Sequence, residues 1–116
     1  MEIVERPWGT FELLKTTKDY WVKILTIKKG HRISMQSHHD RKEFWTVISG
    51  EGEAEIESYI DIDIYSLIKG SHLVIPAEAK HRITNTCDKD LVVCELALGR
   101  PNEADIKRYE DDYGRT

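Results

Sequence analysis

Four side chains of this sequence could close around one divalent cation: Gln36, His38, Glu43 and His81. Gln36 and His38 are two residues apart, so on a strand both point to the same face. Glu43 follows after an odd step, which would put it on the opposite face of one continuous strand. The polar run His39-Asp40-Arg41-Lys42 resolves the conflict if it is a turn, with Glu43 entering the next strand and facing the same interior. His81 arrives from a distant segment just past Pro76. An amide, a carboxylate and two imidazoles are a plausible divalent-metal shell. The other reading of the same four residues is a buried polar network without metal, which costs stability unless every group is hydrogen-bonded. Two nitrogen and two oxygen ligands suit zinc, with cobalt, manganese, nickel and iron left open because residue types alone do not fix geometry. His31, His39 and His72 lie in or beside expected turns and are read as ordinary polar residues.

The elements that must position these groups are short strands. Tyr20 to Lys28 alternates Trp21, Lys23, Leu25 and Ile27 on one face with Tyr20, Val22, Ile24 and Thr26 on the other. Further strands are expected at Phe11–Leu14, Arg32–His38, Glu43–Ile48, Ala54–Ser58, Ile60–Ile68, Leu73–Ile75, His81–Asn85 and Leu91–Leu98, separated by glycine or polar turns. Residues 1–10 read as a turn-like segment crossing the sheet edge. The polar tail after Pro101 is expected to hold no more than one helical turn, at Asn102 to Ile106. Arg82, next to His81, should face away from the site. Strands every eight to ten residues with no sustained helical period predict an all-β fold, an antiparallel jelly-roll barrel.

At 116 residues the chain is expected to be one domain, residues 1–116. An apolar fraction of 40% and a charged fraction of 33% describe an ordinary globular composition. A net charge of −4 with no basic run argues against a nucleic-acid partner. No apolar run could span a membrane as a helix, and the opening Met1-Glu-Ile-Val-Glu-Arg-Pro7 is too charged for a signal peptide, so a cytoplasmic location is expected. Cys87 and Cys94 do not suggest a disulfide scaffold.

The spacing of Gly30, His38, Glu43 and Gly50, then of Gly70, Pro76, His81 and Asn85, resembles the paired motif of the cupin superfamily, with Gln36 where most cupins have histidine and Glu78 in place of the usual glycine. The resemblance implies a cupin-type double-stranded β-helix. Across almost the whole chain it is similar to type II mannose-6-phosphate isomerases, which also occur as the C-terminal domain of mannose-1-phosphate guanylyltransferases. Arg6-Pro7-Trp8-Gly9-Thr10-Phe11, Ile33 to Trp45, Ile75-Pro76 with His81-Arg82 and Asn85, and Glu110-Asp111-Asp112-Tyr113-Gly114-Arg115 carry that resemblance. It implies a metal held by Gln, His, Glu and His, and conversion of mannose 6-phosphate to fructose 6-phosphate through an enediol. Glu95 matches a family glutamate and is the candidate base, its pKa raised by desolvation in a barrel. Lys23, facing inward with Trp21 and Leu25, is a candidate for catalysis and for the phosphate, and would need an anionic partner. Arg6 and Asp40 are further candidates for substrate binding. Asp40 and Phe44 stand where the family has histidines. A homodimer is expected by analogy with other cupins. Two other functions fit a cupin: a non-catalytic sugar- or metal-binding sensor, and an iron dioxygenase, which usually has histidine at the position of Gln36.

Overall fold

The computed structural model describes residues 2–116. Eleven strands run in chain order: β1 Glu2–Arg6, β2 Gly9–Thr16, β3 Tyr20–Ile27, β4 Met35–Ser37, β5 Arg41–Ser49, β6 Gly52–Glu57, β7 Ile62–Leu67, β8 His72–Ile75, β9 His81–Asn85, β10 Leu91–Gly99 and β11 Lys107–Glu110. They form a six-stranded sheet, β1-β2-β3-β10-β5-β8, and a five-stranded sheet, β11-β4-β9-β6-β7, with antiparallel pairing throughout. From β4 onward the chain passes back and forth between the two sheets, so residues close in sequence end on opposite walls. This is the expected cupin-type double-stranded β-helix.

Alternation explains the core. In β3 the buried residues are Trp21, Lys23, Leu25 and Ile27, and in β10 Leu91, Val93, Glu95 and Ala97. Phe11, Leu25, Ile27, Trp45, Val47, Leu91 and Val93 of the larger sheet pack on Ala54, Ile56, Leu67 and Ile83 of the smaller one. Burying this apolar surface is the main favourable contribution to folding. Gly50, at the turn between β5 and β6, has φ of 86°, and a Cβ there would come within 2.5 Å of the Asp90 carbonyl oxygen. Only glycine meets both demands cheaply.

Three expectations change. Residues 2–6 are not a crossing segment but the edge strand β1, paired with β2. The tail has no helical turn at 102–106; after a turn it forms β11, which pairs with β4. The strand carrying Glu43 begins at Arg41, so Arg41 belongs to β5 rather than to the preceding turn. Arg41, Glu43, Trp45 and Val47 then share one buried face.

Candidate metal centre

The two sheets bring separate parts of the site to facing walls. On the larger sheet, β3, β10 and β5 are neighbours, and Glu95 lies directly across from Lys23 on one side and Trp45 on the other. On the smaller sheet, Gln36 of β4 pairs with His81 of β9. His38 follows β4 by one residue. Gln36, His38, Glu43 and His81 line one cavity together with Lys23, Glu95 and Arg6.

One donor atom from each of His38, Glu43 and His81 lies within 4.8 Å of the other two, and all three residues are buried. His38 Nε2 is 3.7 Å from Glu43 Oε2, and His81 Nε2 is 3.4 Å from Glu43 Oε1. The opposite ring nitrogens are engaged elsewhere: His38 Nδ1 donates to the Asp105 carbonyl at 2.8 Å, and His81 Nδ1 to the Ala79 carbonyl at 3.0 Å. A carbonyl only accepts, so both Nδ1 atoms carry a proton, and the Nε2 atoms are the ring nitrogens turned to the cavity. Burial, reinforced by the charge of Arg41, lowers the His38 pKa to about 4, so its imidazole is neutral near pH 7. Glu43 is fully enclosed, and burial alone would push its carboxyl up. Set against burial are His81, whose Nε2 is 3.4 Å from Oε1, then His38, and the permanently charged Arg41, whose Nε donates to Oε2 at 3.0 Å; together they hold the carboxyl below the usual carboxylate range and keep it ionised. Gln36 Nε2 donates to the Ser34 carbonyl at 3.3 Å, leaving its own carbonyl oxygen as the atom available to a cation. Two imidazole nitrogens, an ionised carboxylate and an amide oxygen fit a divalent cation.

Glu95 occupies the adjoining part of the cavity and is 6% exposed. Its carboxylate accepts the indole N–H groups of Trp21 at 3.0 Å and Trp45 at 3.2 Å. Burial, with the nearby charge of Glu43, raises its pKa to about 7 against the opposing pull of Lys23 and Arg41. Lys23 is 4% exposed and pairs with Glu103, the anionic partner that an inward lysine requires.

Arg6 also lines the cavity, its guanidinium 5.1 Å from the centre of the Phe11 ring. Asp40 does not. It is exposed, its carboxylate turned to the neighbouring His39 ring at 2.8 Å. Expected as a substrate contact, it sits in the turn before β5, outside the residues that line the cavity. Phe44 is on the outer face of β5, opposite Glu43. The two departures from the family pattern therefore leave the cavity lining untouched. Arg82 faces away from the site as alternation requires, yet it is buried, donating to the Ile33 carbonyl at 3.0 Å and the Glu110 carbonyl at 3.1 Å.

Sequence reasoning missed four charged cavity residues: Arg41, Glu103, Arg108 and Arg115. Arg41 was recoverable from the two-residue period shared with Glu43 and Trp45, had the strand been extended backwards. The other three lie in the tail, where charged residues look like solvent-facing ones. Among the described residues, two buried side-chain polar atoms make no hydrogen bond within the protein, Ser34 Oγ and Arg108 Nε. Both residues line this cavity.

The family model described as mannose-6-phosphate isomerase C-terminal matches residues 1–111. The chain belongs to that family. Among curated relatives, the alginate biosynthesis protein AlgA of Pseudomonas putida is 36% identical over 114 residues, covering 97% of this chain and 23% of the relative. The mannose-1-phosphate guanylyltransferase of Escherichia coli is 34% identical over 113 residues, again covering 97% and 23%. The chain thus spans about a quarter of the length of these curated relatives. Among solved structures, the capsular polysaccharide assembling protein CapF of Staphylococcus aureus superposes with a TM-score of 0.80 at 26% identity, over 94% of this chain and 34% of that one. The oxalate decarboxylase of Lactobacillus farciminis gives 0.80 at 17% identity over 92% of this chain and 33% of that chain, a likeness of fold. The protein is a cupin of the phosphomannose isomerase family, and its His/Glu cluster suits a divalent metal.

Proposed function

We propose that this domain interconverts mannose 6-phosphate and fructose 6-phosphate, with a divalent cation, zinc by preference, held by Gln36, His38, Glu43 and His81. The observation that carries this reading is that one cavity holds both this donor set and a separate buried carboxyl, Glu95, whose pKa of about 7 suits a proton carrier at neutral pH. Such a cation would act as a Lewis acid toward the sugar's oxygens, where negative charge develops in an enediol.

The remaining roles fall to the chain's own groups. Glu95 takes the proton from C2 of the open-chain aldose and returns it to C1, while the hydroxyl proton on O2 passes to O1. Both Glu95 oxygens accept an indole N–H, and each keeps a lone pair for this transfer. Burial keeps the carboxyl's pKa high, against the Trp21 hydrogen bond, which favours the ionised form. Lys23, directly across from Glu95, faces the same end of the substrate. Arg41 donates to Glu43 and to the Asn102 carbonyl, fixing the Glu43 rotamer.

The phosphate finds its partners at Arg6, Arg108 and Arg115. Burial and the charges of Arg115 and Arg6 lower the Arg108 pKa, the mark of guanidinium groups crowded together. Its unpartnered Nε is a donor awaiting an acceptor. Arg115 is held in place by a bidentate pair with Asp111 at 3.0 and 2.7 Å. A phosphate resolves this repulsion through charge-assisted hydrogen bonds.

The test is turnover. Purified protein loaded in turn with zinc, cobalt, manganese and nickel is given mannose 6-phosphate, and fructose 6-phosphate is detected with a coupled enzyme. Turnover with at least one metal, and a far poorer response to unphosphorylated mannose, is expected. No turnover with any of the four rejects the isomerase reading.

A further inference from the structure

The segment from Pro101 to Ile106 crosses the cavity between two attachments to the metal-ligand region. At one end the Asn102 carbonyl accepts Arg41 Nη1 at 3.0 Å. At the other, the Asp105 carbonyl accepts His38 Nδ1 at 2.8 Å, and its carboxylate accepts the backbone N–H of His39 at 3.0 Å and of Asp40 at 2.8 Å. Between these attachments Glu103 turns its carboxylate into the cavity and pairs with Lys23.

The two partners of this pair are unequally bound. The Lys23 side chain is 5% exposed and that of Glu103 is 55% exposed. The Lys23 ammonium lies 4.0 Å from the centre of the Phe11 ring and 3.7 Å from that of Trp21. Cation–π attraction to two desolvated faces holds it where it is, with or without Glu103. Glu103 is already half in water, and rotating its side chain outward breaks none of the hydrogen bonds at Asn102 or Asp105. The cavity as it stands holds about 120 Å³, well below the roughly 300–1,000 Å³ usual for a small-molecule site. Something must leave before a hexose phosphate fits.

We propose that Lys23 is a binding site for an anionic oxygen at the reacting end of the substrate, and that Glu103 is its displaceable built-in occupant. The entering sugar exchanges with the Glu103 carboxylate, which swings into solvent, and the Lys23 ammonium transfers to the oxygens at C1 and C2 beside Glu95. The ligand class is a sugar phosphate with an oxyanion at C1 or C2, either the enediolate or a stable C1 carboxylate. This proposal rests on the isomerase reading for the identity of the sugar.

The experiment uses 6-phosphomannonate, which carries a carboxylate at C1, as the probe, with its dissociation constant measured calorimetrically. A chain that occupies its own site binds ligand more weakly in proportion to that occupancy. Glu103→Gln should therefore tighten 6-phosphomannonate binding by roughly tenfold and lower KM for mannose 6-phosphate. Lys23→Met introduced into Glu103→Gln should erase that gain. Circular dichroism and thermal unfolding establish that each variant is folded. A folded Glu103→Gln protein that binds the probe no more tightly than wild type, or more weakly, overturns the proposal and leaves Glu103 as a structural counter-ion. A tenfold gain in a protein that does not turn over mannose 6-phosphate would sink the isomerase reading and leave the exchange at Lys23 standing. Turnover without the gain does the reverse.

Discussion

Replacing Glu95 by glutamine separates the proposed chemistry from the architecture. Each Glu95 oxygen accepts one indole N–H, at 3.0 Å from Trp21 and 3.2 Å from Trp45. A glutamine keeps one acceptor oxygen and turns an NH₂ group toward the other indole, so one buried donor loses its partner at a cost of about 1–3 kcal/mol. The pKa works in the other direction. With an ordinary carboxyl value of 4.5 and a folded value of about 7, the folded chain binds the proton more tightly than the unfolded chain. The stability this confers is complete below pH 4.5 and is lost as pH rises through about 7. At 1.36 kcal/mol per pH unit, the loss is on the order of 3 kcal/mol. In metal-free protein, Glu95→Gln should thus be less stable than wild type at pH 5. It should be equal or more stable at pH 8, because the variant lacks the buried charge. Urea denaturation at the two pH values reads this crossing. In metal-loaded protein the same change removes the proton carrier, and kcat should fall by about 10²–10⁴-fold with metal content unchanged. A variant that keeps kcat within a few-fold of wild type at equal metal content refutes the role given to Glu95. A variant as far below wild type at pH 8 as at pH 5 refutes the raised pKa.

The other predictions concern the surroundings of that carboxyl. Glu43→Ala and His81→Ala should each abolish stoichiometric metal in elemental analysis; unchanged content removes them from the shell. Arg108→Met should raise KM for mannose 6-phosphate by roughly 10–100-fold, as expected for one charge-assisted hydrogen bond worth about 1.5–3 kcal/mol, while bound metal stays constant. Asp105→Ala removes the caps on the His39 and Asp40 amides, loosening the turn that holds His38. Chelator competition should then show metal affinity lower by about 10–100-fold, and equal affinity would show that the turn is fixed without Asp105.

Much of this site could be read from residue types because strand alternation and ligand chemistry pointed the same way. Gln36 and His38 share a face by their spacing. Lys23 was placed inside by the company of Trp21, Leu25 and Ile27, and the structure supplies its counter-ion. What stayed hidden lies where polarity and position conflict. Arg41 looked like part of a charged turn, although it begins the buried face of β5, since a guanidinium beside a carboxylate can be buried at tolerable cost. In β11, Lys107-Arg108-Tyr109-Glu110, no apolar period announces a strand, because the residue turned toward the cavity is itself charged. Glu103 could be paired with Lys23 only once the fold had brought together residues 80 positions apart. Asp40 is the reverse case. Nearness to ligands in sequence suggested a substrate contact, and the turn carries its side chain out of the cavity.

One measurement reaches the centre of this account: titrating zinc into chelator-stripped protein while recording bound metal and turnover of mannose 6-phosphate in the same samples. Turnover should rise in proportion to bound zinc and level off at one ion per chain, and His81→Ala should show neither binding nor rate. Full turnover in the stripped protein, or one tightly held ion with no turnover, would contradict it.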